Sequence, residues 1–223
     1  SADGNYKELI KQAKFFKVKN LIITNENSYI KVKKDRFSKK INIYNNFNYF
    51  RKIFKKKVDY TMSCISGIQG LKPTIEIIKF TNKIAIANKE AIICGWKLIK
   101  KASINYKTKI IPVDSEHFSI FKLLECHKLN EIKKLFITAS GGPFLNMNYK
   151  KFKNIKPKDA LKHPKWKMGK KISIDSSTLM NKIFELVEAQ KLFDIPKDKI
   201  DILIHPDSLV HAIAELKNGL FKF

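Results

Sequence analysis

Lys109-Ile110-Ile111-Pro112-Val113-Asp114-Ser115-Glu116-His117 runs from an apolar segment into two carboxylates separated by a single residue. The first three residues read as a buried strand, and Ile120, Phe121, Leu123 and Leu124 recur behind them at helical spacing. A strand therefore passes directly into a helix, with Asp114 where an N-cap is preferred. The same residues have a second use. Carboxylates at i and i+2 where a strand ends offer several oxygens to one hard cation. An Asp that only caps the next helix is the ordinary structural reading, so the neighbouring segments have to decide between the two.

Toward the N-terminus, residues 1–111 alternate helix and strand: helix over 6–16, strands over 21–24 and 60–65, helix over 73–80, strand over 84–87 and helix over 90–101. Such alternation implies a parallel sheet with flanking helices. The Lys-, Asn- and Tyr-rich stretch 31–57 lacks periodicity and reads as a surface helix and loop. Toward the C-terminus, Leu135-Phe136-Ile137 and Ile200-Asp201-Ile202-Leu203-Ile204 read as strands. His211-Ala212-Ile213-Ala214-Glu215-Leu216 alternates toward Asn218-Gly219, a two-residue hairpin signal. The expected class is α/β: an incomplete Rossmann-like parallel-sheet domain, 1–111, followed by an α+β catalytic domain with a mixed sheet, 112–223.

Asp175-Ser176-Ser177-Thr178-Leu179-Met180-Asn181-Lys182-Ile183-Phe184-Glu185 supplies the second set of polar groups. Asp and Ser are good N-caps, and Leu179, Met180, Ile183, Phe184 and Val187 follow at helical spacing, which predicts an amphipathic helix. Asn181 and Glu185 share one face about 6 Å apart along the axis, close to the reach of a small sugar phosphate. Lys182 and Ser176 join them at the phosphate end. For an arbitrary Asn-Lys-x-x-Glu the ordinary reading is a solvated helix face. Two further blocks weigh against it here. Ala139-Ser140-Gly141-Gly142-Pro143-Phe144 ends a strand with two glycines, where exposed backbone can approach an anion. His163-Pro164-Lys165-Trp166-Lys167-Met168-Gly169-Lys170 reads as a loop carrying a lone Trp.

With Ala87-Asn88-Lys89-Glu90 and Gly67-Ile68-Gln69-Gly70-Leu71-Lys72-Pro73-Thr74, these blocks, in this order, resemble the 1-deoxy-D-xylulose 5-phosphate reductoisomerase family. The resemblance runs from about residue 1 to residue 223. It implies an NADPH-dependent rearrangement and reduction of 1-deoxy-D-xylulose 5-phosphate to 2-C-methyl-D-erythritol 4-phosphate, in isoprenoid precursor biosynthesis, with Mg2+ or Mn2+. By the same transfer Asp114, Glu116 and Glu185 are the metal ligands. Ser140, Ser176, Asn181 and Lys182 hold the phosphate, and Ser115 and Lys89 contact the sugar end. His163, Trp166 and Met168 belong to a flap over the substrate, and Gly4, Asn5, Asn88, Glu90 and Gly169 face NADPH. The family's glycine-rich dinucleotide loop has no counterpart here, and the chain stops in the returning strand of the hairpin. The chain is thus expected to be an internal fragment of a homodimeric enzyme, cytoplasmic in preference to a plastid-type organelle reached through a removed targeting segment, lacking a C-terminal helical domain and inactive alone. Ile183 and Phe184 replace a Gly-Leu pair of the family, Phe118 replaces a small residue and Asp207 a Gln. The three bulky residues are expected to crowd the site.

Composition favours no other class. A net charge of +25 fits a lysine-rich nucleic-acid binder, yet Arg36 and Arg51 are the only arginines among 45 basic residues. Base-reading proteins rely on arginine forks, so a nearly pure lysine surplus does not indicate specific nucleic-acid recognition. A catalytically inactive relative serving as a binding module is the other alternative, and it is disfavoured because all three metal carboxylates are present. No apolar run approaches a membrane span. Cys64, Cys94 and Cys126 are odd in number and widely spaced, which fits neither a zinc site nor a disulfide framework.

Overall fold

A computed structural model describes residues 1–34, 41–162 and 168–223. His163 and Trp166 of the expected flap lie outside the described residues. The chain divides into two compact units, Ser1–Asp59 with Lys79–Asn82, and Tyr60–Ile78 with Lys83–Phe223. The boundary expected near Ile111 falls inside the second of these.

The first unit holds helix α1 (Tyr6–Phe15), strand β1 (Asn20–Ile22), helix α2 (Glu26–Lys34), strand β2 (Asn42–Tyr44) and helix α3 (Phe50–Ile53). Tyr6, Leu9 and Ile10 lie on one face of α1 and pack on the buried cluster Ile23, Val32 and Ile43. β1 and β2 pair in parallel, with Leu21 opposite Ile43. β2 was not expected within 31–57. Its three residues are too few to show an alternation, yet Ile43 and Tyr44 are buried and settle it on β1.

The remaining elements are β3 (Val58–Ser63), α4 (Leu71–Ile78), β4 (Thr81–Ile86), α5 (Lys89–Asn105), β5 (Lys109–Pro112), α6 (Ser115–Cys126), β6 (Ile132–Ala139), α7 (Pro157–Ala160), α8 (Lys170–Ser177), α9 (Met180–Phe193), β7 (Ile200–Ile204), β8 (Ala212–Leu216) and β9 (Phe221–Lys222). One sheet runs β3-β4-β5, with β4 and β5 parallel from Lys83 opposite Lys109 to Ile86 opposite Pro112. The other runs β7-β6-β8-β9 and is mixed, with β6 parallel to β7 and antiparallel to β8. β6 buries Leu135, Ile137 and Ala139, and α6 and α9 cover them with Ile120 and Ala189. β-branched and apolar residues on both sides of this strand suit its central place. The fold class is therefore the expected α/β with a mixed second sheet.

Two local expectations are corrected. The β8–β9 turn has three residues, 217–219, because Glu215 pairs with Phe221 and the Leu216 N–H donates to the Leu220 carbonyl at 2.8 Å. Gly219, with φ of 87°, takes the left-handed position that a three-residue hairpin needs. The helix expected to open at Asp175 is instead two helices. Leu179 has φ of 58°, which ends α8 and starts α9. Asp175 and Ser176 thus lie in the last turn of α8 and cap nothing.

Candidate functional site

The C-terminal ends of β5, β6 and β7 supply the loops around one cleft of about 460 Å3, as expected for open α/β sheets. Asp114 follows β5 and caps α6, its Oδ1 accepting from the Glu116 N–H at 3.2 Å. Glu116 sits in the first turn of α6, and Ser115 Oγ donates to its Oε2 at 2.7 Å. Glu185 arrives from α9, one helical turn after Asn181, whose amide donates to Glu185 Oε1. One carboxylate oxygen from each of Asp114, Glu116 and Glu185 lies within 4.8 Å of the others.

Two ammonium groups are wedged among these three carboxylates. Lys89 Nζ, from the start of α5, is 2.5 Å from Asp114 Oδ2 and 3.3 Å from Glu185 Oε1. Lys182 Nζ is 2.8 Å from Glu116 Oε1 and 2.5 Å from Glu185 Oε2. Burial works against the charge of both lysines, but the facing carboxylates outweigh it and raise their pKa values. Asp114 is desolvated too, yet Lys89 holds its carboxyl well below the usual range. Burial and the Asp114 charge push Glu185 up to about 7. With three carboxylates to two ammonium groups, the largely buried cluster is acidic on balance, which favours a further cation.

Ser140, Gly141, Gly142, Met168 and Ser176 also line the cleft, with Asn181 and Lys182 standing between them and the carboxylates they contact. Gly141 and Gly142 have φ of 87° and 71°, which turns this backbone into the cleft. A Cβ on Gly142 would meet the Ser176 carbonyl oxygen at 2.8 Å. Gly142→Ala is expected to lower stability by about 1–3 kcal/mol through that clash and the left-handed backbone. Thermal unfolding measures it, and an unchanged midpoint would show that the turn and α8 are not in this contact.

The structure thus gathers Asp114, Ser115, Glu116, Ser140, Met168, Ser176, Asn181, Lys182 and Glu185 around one cleft and ties Lys89 to its carboxylates. Residues the sequence reading did not assign also line it, among them Thr138, Ser208 and His211. The last two stand on the connection after β7, so the general rule about strand ends was the signal that could have found them. The bulky replacements lie elsewhere. Ile183 is 47% exposed and Phe118 42%, and neither they nor Phe184 line the cleft, so the expected crowding is absent. Asp207 does not line it either.

Among the residues assigned to NADPH, Asn88 has its side chain committed. Its Nδ2 donates to the carbonyls of Ile65 and Gly67, at 2.8 Å for the latter, and its Oδ1 accepts from the Ala91 N–H at 2.6 Å. It braces the turn at Gly67 and caps α5. Glu90 Oε1 is 3.0 Å from Lys171 Nζ, which also reaches Asp175. Gly169 precedes α8, and a Cβ there would meet none of the described residues within 4 Å, while Gly4 and Asn5 belong to the first unit, Asn5 at the head of α1.

Fold and cleft together define an α/β protein with a cation-type carboxylate cluster beside an anion-type donor set. Family models agree on which one. Residues 1–95 match the model for 1-deoxy-D-xylulose 5-phosphate reductoisomerase, and residues 110–193 match that for its C-terminal domain. A reductoisomerase of that name from Pelagibacter ubique (strain HTCC1062) is 58% identical over 224 residues, covering 100% of this chain and 58% of the relative. One from Treponema denticola is 50% identical over 169 residues, 76% of this chain and 44% of the relative. The solved reductoisomerase from Zymomonas mobilis in complex with NADPH superposes with a TM-score of 0.86 at 33% identity, over 99% of this chain and 58% of that one. A DOX-P reductoisomerase in complex with NADPH, fosmidomycin and magnesium also gives 0.86, at 32% identity over the same shares. The chain belongs to the 1-deoxy-D-xylulose 5-phosphate reductoisomerase family. It spans a little over half the length of the relatives it matches along its whole extent.

Proposed function

We propose that this chain carries the metal- and substrate-binding part of an NADPH-dependent enzyme that converts 1-deoxy-D-xylulose 5-phosphate to 2-C-methyl-D-erythritol 4-phosphate. The observation that carries the reading is the single cleft in which three carboxylates converge beside Ser140, Ser176, Asn181 and Lys182. Asp114, Glu116 and Glu185 are hard oxygen donors, so they suit Mg2+ or Mn2+. Bound there, the cation would supply Lewis acidity toward carbonyl and hydroxyl oxygens, and NADPH would supply a hydride.

The chain's own groups bind and orient. Lys182 offers a point charge to a phosphate, while Ser176, Ser140 and Asn181 can fix its orientation by hydrogen bonds. Lys89 and Ser115 face the sugar end. Met168, with His163 and Trp166, is assigned to a flap that excludes water. We assign NADPH to Gly4, Asn5, Glu90, Gly169 and the loop that Asn88 braces, within a domain made by residues 1–111, and assign catalysis to 112–223. The small phosphosugar is the substrate, a homodimer the expected assembly of the longer enzyme and the cytoplasm its place. No helix of the described residues is long and apolar enough to cross a membrane.

A phosphonate bearing a hydroxamate tests the reading, because it carries a phosphate-like group and two cation-binding oxygens on one small frame. Calorimetric binding to this chain is expected with Mn2+ present and is expected to vanish in excess EDTA. Binding that EDTA leaves unchanged would count against the cation site.

A further inference from the structure

Glu188 lies one turn beyond Glu185 on α9, behind the cleft, and is 1% exposed, as is His117 on α6. His117 makes its contacts with the two segments that carry the carboxylates. Its Nε2 is 2.8 Å from the Glu185 backbone carbonyl. Its Nδ1 is 3.2 Å from Glu188 Oε2 and 3.8 Å from Asp114 Oδ1.

A carbonyl oxygen only accepts, so Nε2 carries a hydrogen. Nδ1 and Glu188 Oε2 are then joined by one proton, given either by a glutamic acid to a neutral ring or by an imidazolium to a carboxylate. Two bare acceptors at that distance would repel in a buried setting. The other Glu188 oxygen, Oε1, is buried with no hydrogen-bond partner among the described residues. A buried polar atom left in that state is costly, so the side chain is kept there against its own solvation preference.

We infer that Glu188 is a positioning residue for the carboxylate cluster, acting through His117 to fix the first turn of α6 against the α9 turn that presents Glu185. The inference rests on reading that cluster as a cation site. Its geometry is that of an outer-layer group which holds a ligand-bearing segment without touching the cation. If the pair were only core filling, an apolar residue of similar size would serve as well.

Mn2+ is the probe, its free concentration read by electron paramagnetic resonance during titration of the chain. Glu188→Gln keeps an N–H that can donate to Nδ1, so its affinity is expected within about threefold of the parent chain. Glu188→Leu removes the link and is expected to weaken Mn2+ by about 10–100-fold. Thermal unfolding of each variant reports folding separately. Should Glu188→Leu not fold, Glu188→Asp withdraws the carboxyl by one methylene and is expected to lose at least about tenfold. The ring 15N shifts of His117 are expected to show the Nε2–H form in the parent chain and in Glu188→Gln. Parent-like Mn2+ affinity in the folded Leu or Asp variant would overturn the inference alone, as would a Gln variant that loses as much as Leu. Absence of Mn2+ binding by the parent chain would overturn the cation site itself.

Discussion

Glu185→Gln is expected to weaken Mn2+ binding by about 10³-fold, about 4 kcal/mol at 1.4 kcal/mol per decade. Glutamine keeps the length of the side chain and an oxygen that can accept from Asn181, so the local packing of α9 survives. What it loses is the charge. Glu185 is 2% exposed and touches both Lys89 and Lys182, which makes its carboxylate the one that both ammonium groups share. A hard divalent cation bound by carboxylates depends on their charge as much as on their number. Lys89 keeps Asp114 and Lys182 keeps Glu116 in the variant, so neither lysine is stranded. Titration with Mn2+ under electron paramagnetic resonance gives the affinity, and circular dichroism confirms the fold. Parent-like affinity would mean that Glu185 is no ligand and that the three carboxylates merely neutralise lysines.

The strand-to-helix junction at Lys109–Glu116 was legible because each step has a local cause: a short apolar run, an N-cap Asp and a helical period behind it. The meeting of Asn181 with Glu185 was legible for the same reason, since four residues on a helix is a fixed geometry. What failed on α9 was the assumption that its apolar residues mark the inside. Met180 and Ile183 are 44% and 47% exposed, while Lys182, Glu185 and Glu188 are 6% or less. The buried stripe is ionisable, at three-residue spacing, because Lys182 and Glu185 face opposite charges and Glu188 meets His117. Hydrophobic periodicity cannot reveal such a stripe, so Glu188 and its link to His117 stayed hidden. The break at Leu179 escaped for another reason. A leucine in the left-handed region carries no local signature, and only the surrounding packing holds it. Ser208 and His211 reach the cleft through the connection after β7, a tertiary fact that no spacing within their own segment encodes.

Lys182→Met separates the two roles assigned to that residue, and its two effects are expected to have opposite signs. Methionine matches the reach of lysine without its charge. In the parent chain Lys182 is 6% exposed and neutralises Glu116 and Glu185 at 2.8 Å and 2.5 Å. Its removal leaves Glu116 without its ammonium partner and Glu185 with Lys89 as its remaining one, which costs up to about 3–5 kcal/mol and lowers the unfolding temperature in EDTA. A divalent cation relieves the same repulsion and no longer competes with the ammonium. Mn2+ is therefore expected to raise the unfolding temperature of the variant by more than that of the parent chain, since ligand stabilisation grows with affinity. The anion end responds the other way. Without the point charge, the hydroxamate phosphonate is expected to bind about 10–100-fold more weakly at saturating Mn2+, the loss of one charge-assisted contact of about 1.5–3 kcal/mol. Scanning the unfolding of both chains with and without Mn2+, then titrating the phosphonate, reads both effects from the same preparations. If Mn2+ stabilised the variant less than the parent chain while phosphonate affinity held, Lys182 would belong to the cation site and the phosphate would lie elsewhere.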